Sequence, residues 1–283
     1  MGLATTMDLL PAAREGRYGV PAFNVIGVEH AEAIVRGAEA ERAPVILQLS
    51  QNAVAYHFGA VEPIGAACRE LARAATVPVA LHLDHATSRD LCERAVRVGF
   101  GSLMYDVATA SFEANARAVR DLGRWAHLQG VGLEGVLGVV GGKDGLVAAD
   151  KRLTDPNLAT RYLAETGVDA LAVAVGSSHG MVERTARLNL DLVAALRAAV
   201  AVPLVLHGSS GVPDADLAEA VRRGIAKVNL ATQANAVFTR AIRDYLAADA
   251  DIVDPRPYLS AARYAVIALV RDRLRLLGST GKA

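Results

Sequence analysis

Eight short apolar runs recur along the chain: VPAFNV (20–25), PVILQLS (44–50), VPVALHLDH (77–85), SLMYD (102–106), VGLEGVLG (131–138), ALAVAVG (170–176), VPLVLHG (202–208) and IAKVNLA (225–231). Between most of them lie alanine-rich stretches with charges at helical spacing, such as VEHAEAIVRGAEAERA, EPIGAACRELARAA, SRDLCERAVRVG and FEANARAVRDLGRWAHLQG. Many of these end in Gly or in Val-Pro just before the next run, where a helix stops and a strand starts. Eight strands mostly separated by helices, at a spacing of roughly 30 residues, predict an α/β fold of the (β/α)8 type, the TIM-barrel architecture. A doubly wound open sheet is the alternative, but its usual mark, a GxGxxG turn after the first strand, is missing from VPAFNVIGVEH. The longest apparent loop runs from GVVGGKDG to KRLTDP and suits a mobile cover over an active site. From Asp251 to Ala283 the chain reads as an appended C-terminal helical segment carrying a basic helix, YAVIALVRDRLRLL. There is no repeat or low-complexity tract, and residues 1–283 read as one barrel domain.

Composition narrows the picture. At 283 residues and 52% hydrophobic content, the chain can bury a large core. A formal net charge of +0 and an ordinary charged fraction of 21% give no nucleic-acid footprint and no polybasic membrane patch. Cys68 and Cys92 are far apart, which argues for a reducing compartment and against a disulfide framework or a cysteine zinc site. The start, MGLATTMDLLPAAREGRYG, lacks the basic and apolar regions of a secretory signal, and MGLATT fits a myristoylation pattern short enough to arise by chance. No apolar run reaches the roughly 20 residues of a membrane helix, so the expected location is cytoplasmic.

Chemistry in such a barrel sits at the C-terminal strand ends. The predicted strands finish in Asn24, Ser50, Asp84–His85, Asp106, Glu134, Gly176–His179, His207–Gly211 and Asn229–Thr232. Of seven histidines, His82, His85, His179 and His207 fall at or near these ends, while His30, His57 and His127 lie in helical or loop text and read as surface or packing residues. One such histidine is more often a hydrogen-bonded core residue than a ligand. His85, His179 and His207 on converging tips supply three imidazoles and leave one position open, the arrangement of a catalytic zinc site. Asp84 would then stand at the edge of the cation, able to ligate, to orient a histidine or to transfer protons. His82 lies deeper and reads as a hydrogen-bonded support behind the ligands.

HGSSGVPD (207–214) and NLATQAN (229–235) follow the seventh and eighth strands, where barrels commonly bind phosphate through backbone N–H groups and a helix N-terminus. Gly208, Ser209, Ser210 and Gly211 allow close backbone approach, and Asn229 and Thr232 add side-chain donors. The plainer alternative is turns and helix caps, which the same residue types favour.

With three histidines, an adjacent aspartate and a phosphate nest in hand, the sequence resembles the class II zinc-dependent ketose-bisphosphate aldolases, which act on fructose and tagatose bisphosphates. The resemblance spans nearly the whole chain: YGVPAFNV, PVILQLS, ALHLDHA, GGKDG with LTDP following, GVDALAVAVGSSHG, VPLVLHGSSGVPD, KVNLATQ and DPRPY. The ordered set HLDH, SSHG and HGSSG is the specific part. The resemblance implies zinc on His85, His179 and His207, with Asp84 as the catalytic carboxylate. Ketose-phosphate contacts are implied from Asn24, Ser50, Gly180, Gly208, Ser209, Ser210, Asn229, Ala231 and Thr232. In cleavage Asp84 would deprotonate the C4 hydroxyl, and zinc would stabilise the enediolate of dihydroxyacetone phosphate. His82, Asp106 and Glu134 are supporting groups in this picture, with a monovalent cation near the phosphate. The partners are dihydroxyacetone phosphate and an aldehyde, with no nucleic acid and no membrane, in a homodimer or homotetramer.

The sequence departs from the family pattern at three places. E-x-E-L-G on the fifth strand becomes Glu134 followed by Val136; the acidic pair after Gly-Gly becomes GGKDG, leaving Asp144 to shuttle the enediolate proton; and Asp106 is followed by Val-Ala rather than Gly-Ser. Two other readings compete. A metal-dependent barrel hydrolase typically has an HxH pair on its first strand, and VPAFNV contains no histidine. A divergent member with a different phosphorylated ketose, or with only a sugar-phosphate-binding role, leaves the retention of Asp84 unexplained in its binding-only form.

Overall fold

The computed structural model describes residues 2–107, 111–138 and 153–283. The expected cover lies outside the described residues from 139 to 152, Asp144 included. Among the described residues nine strands form one parallel sheet: β1 (Leu3–Ala4), β2 (Val20–Asn24), β3 (Val45–Ser50), β4 (Val79–Ala86), β5 (Ser102–Tyr105), β6 (Gly132–Leu137), β7 (Ala170–Val173), β8 (Leu204–Leu206) and β9 (Ile225–Leu230). Strands β2 to β9 pair in sequence, and β9 returns to β2, closing an eight-stranded barrel. All eight coincide with the apolar runs. The two-residue β1, which adds to the start of β4 through Leu3 opposite Val79, is too short for any periodicity to reveal.

The helices are α1 (Thr6–Gly16), α2 (Val28–Glu41), α3 (Gln51–Tyr56), α4 (Val61–Ala74), α5 (Arg89–Val98), α6 (Phe112–Leu128), α7 (Pro156–Thr166), α8 (Leu190–Ala199), α9 (Asp214–Arg223), α10 (Thr232–Ala248) and α11 (Pro255–Leu276). Local chemistry sets several starts. Asp155 caps α7 by accepting from the Leu158 N–H with Pro156 at the first position, so LTDP is a helix start; Asp254 and Pro255 repeat the device on α11. The appended segment is held by buried charge: Glu41 accepts from Arg271 and Arg275, and Arg273 grips Asp214.

Alternation along the strands divides the core in two. Phe23, Leu47, Leu81, Leu83, Leu103, Leu133 and Val228 face the helices. Each such large side chain, fully buried, contributes about 1.5–3 kcal/mol of hydrophobic free energy. Ala22, Ile46, Ala80, Met104, Val136, Ala172 and Val205 fill the interior, together with Leu9 and Leu10 of α1.

Among the described residues two register shifts interrupt the strand pairing. Leu83 pairs with Leu103 but Ala86 with Tyr105, so β4 carries one extra residue, and within it His85 has φ 52°, a left-handed conformation rare outside glycine. Strict alternation would aim Asp84 and His85 at opposite faces; the bulge lets both reach the barrel mouth. Leu204 pairs with Ile225 but Val205 with Lys227, an extra residue in β9; beyond it, regular pairing with β2 places Lys227 and Asn229 together on the inner side.

Candidate active site

A cavity of about 260 Å³ opens at the C-terminal ends of the strands. Its wall contains Asn24, Ser50, Asp84, His85, His179, Gly180, His207, Gly208, Ser209, Ser210, Asn229, Ala231 and Thr232, and also Gln48 and Asn52, which sequence reasoning missed. Gln48 was visible in principle, since it alternates with Ser50 on one strand. A larger groove of about 460 Å³ lies outside the barrel among α2, α4 and α11, but its carboxylates Glu32 and Glu39 are already paired with Arg263 and Arg36.

His85, His179 and His207 each present a ring nitrogen within 4.8 Å of the others. The groups behind them fix which nitrogen faces inward. His85 Nδ1 lies 2.7 Å from Asp106 Oδ2, and His207 Nε2 lies 2.9 Å from Glu134 Oε1. A carboxylate accepts only, so each of these nitrogens donates its proton. The opposite nitrogens, His85 Nε2 and His207 Nδ1, face each other 3.1 Å apart. Two imidazole lone pairs at that separation repel unless a cation or a proton lies between them. Two nitrogens of a tetrahedral zinc, each about 2.0–2.1 Å from the metal, would be about 3.4 Å apart, so the residues fit a metal.

Asp84 is buried, with Oδ2 3.9 Å from His85 Nε2 and Oδ1 without a hydrogen-bond partner among the described residues. Burial pushes its pKa up, but its electrostatic interactions with His85, with His207 and with the buried Lys227 ammonium together outweigh burial and hold the carboxyl below its usual range. It is an ionised acceptor aimed into the cavity.

Glu134 does not end a strand as the sequence reading had it; it sits mid-strand on β6, 1% exposed, beneath the histidines. Its second oxygen meets Lys227 Nζ at 2.7 Å, and Lys227 is itself 0% exposed. Against the penalty of burial, Lys227 and then His207 hold Glu134 well below the ordinary carboxyl range. Lys227 was missed as well: a single lysine in IAKVNL is ordinarily a solvent-facing interruption. His82 bonds Ser102 Oγ at 2.7 Å, Ser102 bonds Thr6 Oγ1 at 2.5 Å, and burial pushes the His82 pKa down to about 3, so it is neutral. Val136 packs in the inner apolar cluster.

On the other side of the mouth, Gly208 takes φ 64° and leads into a 3-10 turn, Ser209–Gly211. Ser209 Oγ donates to the Asn229 carbonyl, pinning β8 to β9, so at the cavity Ser209 offers its backbone. Gln233 Nε2 donates to the Ser210 carbonyl, and α10 begins at Thr232 with its N-terminus at the cavity, a natural anion seat.

Barrel and mouth together define an α/β-barrel enzyme with its chemistry at the C-terminal strand ends. The family model described as fructose-bisphosphate aldolase class-II matches residues 4–282. The chain is 36% identical to a fructose-bisphosphate aldolase of Geobacillus stearothermophilus over 100% of this chain and 99% of that one. It is 35% identical to a fructose-bisphosphate aldolase of Staphylococcus aureus (strain Mu50 / ATCC 700699) over the full length of both. The crystal structure of the YdjI aldolase from Escherichia coli K12 superimposes with a TM-score of 0.88 at 32% identity, covering 99% of each chain. The chain belongs to the class II fructose-bisphosphate aldolase family, and is a carbon–carbon lyase.

Proposed function

We propose that the protein is a zinc-dependent aldolase that cleaves or forms a phosphorylated ketose of the fructose- or tagatose-bisphosphate type through the enediolate of dihydroxyacetone phosphate. The observation that carries the zinc is the pair of facing nitrogens, His85 Nε2 and His207 Nδ1, each with its tautomer fixed from behind. His85, His179 and His207 would hold the ion, which when bound supplies Lewis-acid polarisation of the ketone and hydroxyl oxygens. The substrate phosphate sits against the Gly208–Ser210 backbone and the N-terminus of α10. Asp84, ionised and with an uncommitted oxygen, takes the proton from the C4 hydroxyl as the C3–C4 bond breaks and the aldehyde forms. The bond's electron pair stays on the three-carbon fragment, which becomes dihydroxyacetone phosphate once its carbon is protonated. In condensation the protonated Asp84 returns its proton to the aldehyde oxygen.

Glu134 is not available for the carbon protonation, since both of its oxygens are engaged with His207 and Lys227; Asp144 is the residue proposed for it. Cys68 and Cys92 are free and buried, with burial pushing both thiols up to about 12, in keeping with inert packing and a cytoplasmic setting. No helix among the described residues is long and apolar enough to cross a membrane. The proposal includes a homodimer or homotetramer. The test is a retro-aldol panel with fructose and tagatose phosphates, trapping released dihydroxyacetone phosphate, with and without EDTA. Cleavage lost on chelation and restored by zinc is expected; chelator-insensitive turnover sinks the zinc reading.

A further inference from the structure

The Lys227–Glu134 pair lies in the barrel interior, where a hydrophobic layer would serve stability at least as well. Replacing a buried ion pair by apolar groups of similar volume is often neutral or stabilising, because two charges must be stripped of water to form it. Three observations give the pair another purpose. The carboxylate divides its oxygens, Oε1 to His207 Nε2 at 2.9 Å and Oε2 to Lys227 Nζ at 2.7 Å. Lys227 shares the inner face of β9 with Asn229, pairing with the inward Val20 while Val228 between them faces the helices. The amide nitrogen of Asn229 lies 3.1 Å from the same His207 nitrogen and cannot accept its proton, so Glu134 is the acceptor that fixes the ring.

We infer that Lys227 is a positioning residue for the metal centre: by anchoring Glu134 Oε2, it aims Oε1 at His207 and commits His207 to the tautomer whose Nδ1 faces His85. This rests on the zinc reading above. With the lysine gone, the carboxylate loses its counter-charge and the fixed direction of its second oxygen. His207 is then free to rotate or to change tautomer, and the three-nitrogen set is no longer preformed. Lys227 touches neither metal nor substrate in this scheme; it acts through Glu134 alone.

The test uses the full-length protein and reads metal binding rather than turnover. Wild type, Lys227→Met and the double variant Glu134→Gln/Lys227→Met are titrated with zinc against a chromophoric chelator. Each is then melted with and without zinc, and the d–d absorption of each cobalt-loaded form is recorded. Zinc affinity is expected to fall about 10–100-fold in Lys227→Met, the usual cost of losing a partner behind a metal-bound histidine. The double variant removes both charges, so its metal-free melting temperature should return to that of wild type or exceed it. Its zinc affinity should remain at least about 10-fold weaker, with a displaced cobalt spectrum. That split separates positioning from stability. If Lys227→Met does not fold, the double variant decides alone. Variants that bind zinc within about twofold of wild type, with wild-type cobalt spectra, overturn the inference while leaving the zinc reading intact. A wild-type protein that takes up neither zinc nor cobalt overturns the zinc reading itself, and the inference with it.

Discussion

Gly208→Ala is a small change with a calculable effect at the mouth. Gly208 has φ 64°, and a Cβ built on it would lie 2.6 Å from both the carbonyl carbon and the oxygen of Ser178, where ordinary contact begins at 3.4 Å. About 0.8 Å must therefore be made up between two backbone segments, neither of which can yield by a side-chain rotation. Those segments carry His207 and His179, each next in sequence to the clashing residue, so the displacement falls on two of the three proposed ligands. A left-handed alanine alone costs about 1–2 kcal/mol, and a misplacement near 1 Å at a reacting centre costs about 10²-fold in rate. Gly167→Ala supplies the control: φ is 67° there, but no atom lies within 4 Å of the added carbon. Both variants should lose the backbone increment, about 2–4 °C of melting temperature per kcal/mol in a chain this size. Only Gly208→Ala should also lose about 10²-fold or more in kcat/KM, with weakened zinc binding, in a coupled cleavage assay run across a zinc titration. Equal activity in the two variants would refute the reasoning, because the clash, not the dihedral angle, is the operative term.

Asp84→Ala should retain zinc while kcat falls by about 10²–10⁴, the usual worth of a positioned acid–base; zinc lost along with activity, measured by metal analysis, would make Asp84 a ligand or its support. Asp144→Ala should leave zinc occupancy unchanged but slow hydrogen exchange at the carbon of dihydroxyacetone phosphate that becomes C3, followed by NMR; an unchanged rate removes Asp144 from the scheme. Asp214, hydrogen-bonded by Arg273 and Arg184, is held below the ordinary carboxyl range by those bonds. A depressed folded-state pKa means that its stabilisation is present above the unfolded value, about 3.9, and is lost as pH falls through the folded one. Asp214→Asn should therefore melt below wild type at pH 7 and converge on it under strong acid; a constant gap at all pH values would dismiss the ionic contribution.

The eight barrel strands were legible because a strand buried on both faces must be apolar, and the helices between them must carry charge on one side. The mouth was legible for a related reason: polar residues at the ends of such strands have few other places to be. Part of what escaped was set by register rather than composition. The extra residue that turns His85 inward beside Asp84 leaves no mark in HLDH, and alternation alone would have separated the two. Lys227 escaped because a single lysine in an apolar run reads as a solvent-facing interruption, although alternation from Asn229 places it on the same inner face. Glu134 was identified as a supporting group but placed at a tip, because GLEGVL has no feature that says how far the strand continues. Asp144 lies outside the described residues.

The bulge at His85 has a consequence for how such an enzyme ages and fails. Asp84 and His85 are consecutive in one strand, so the proposed proton carrier and one proposed ligand ride on the same peptide unit and cannot drift apart. His179 and His207 arrive on other segments, and their distance from His85 depends on how tightly the strands hold together. When the barrel loosens under heat or core mutation, the proposed cation cage is therefore expected to widen first, while the proposed acid and anchor stay in step. On the zinc reading, early failure would then be loss of occupancy, reversible by raising the concentration of the ion, before the acid and its neighbouring ligand fall out of alignment.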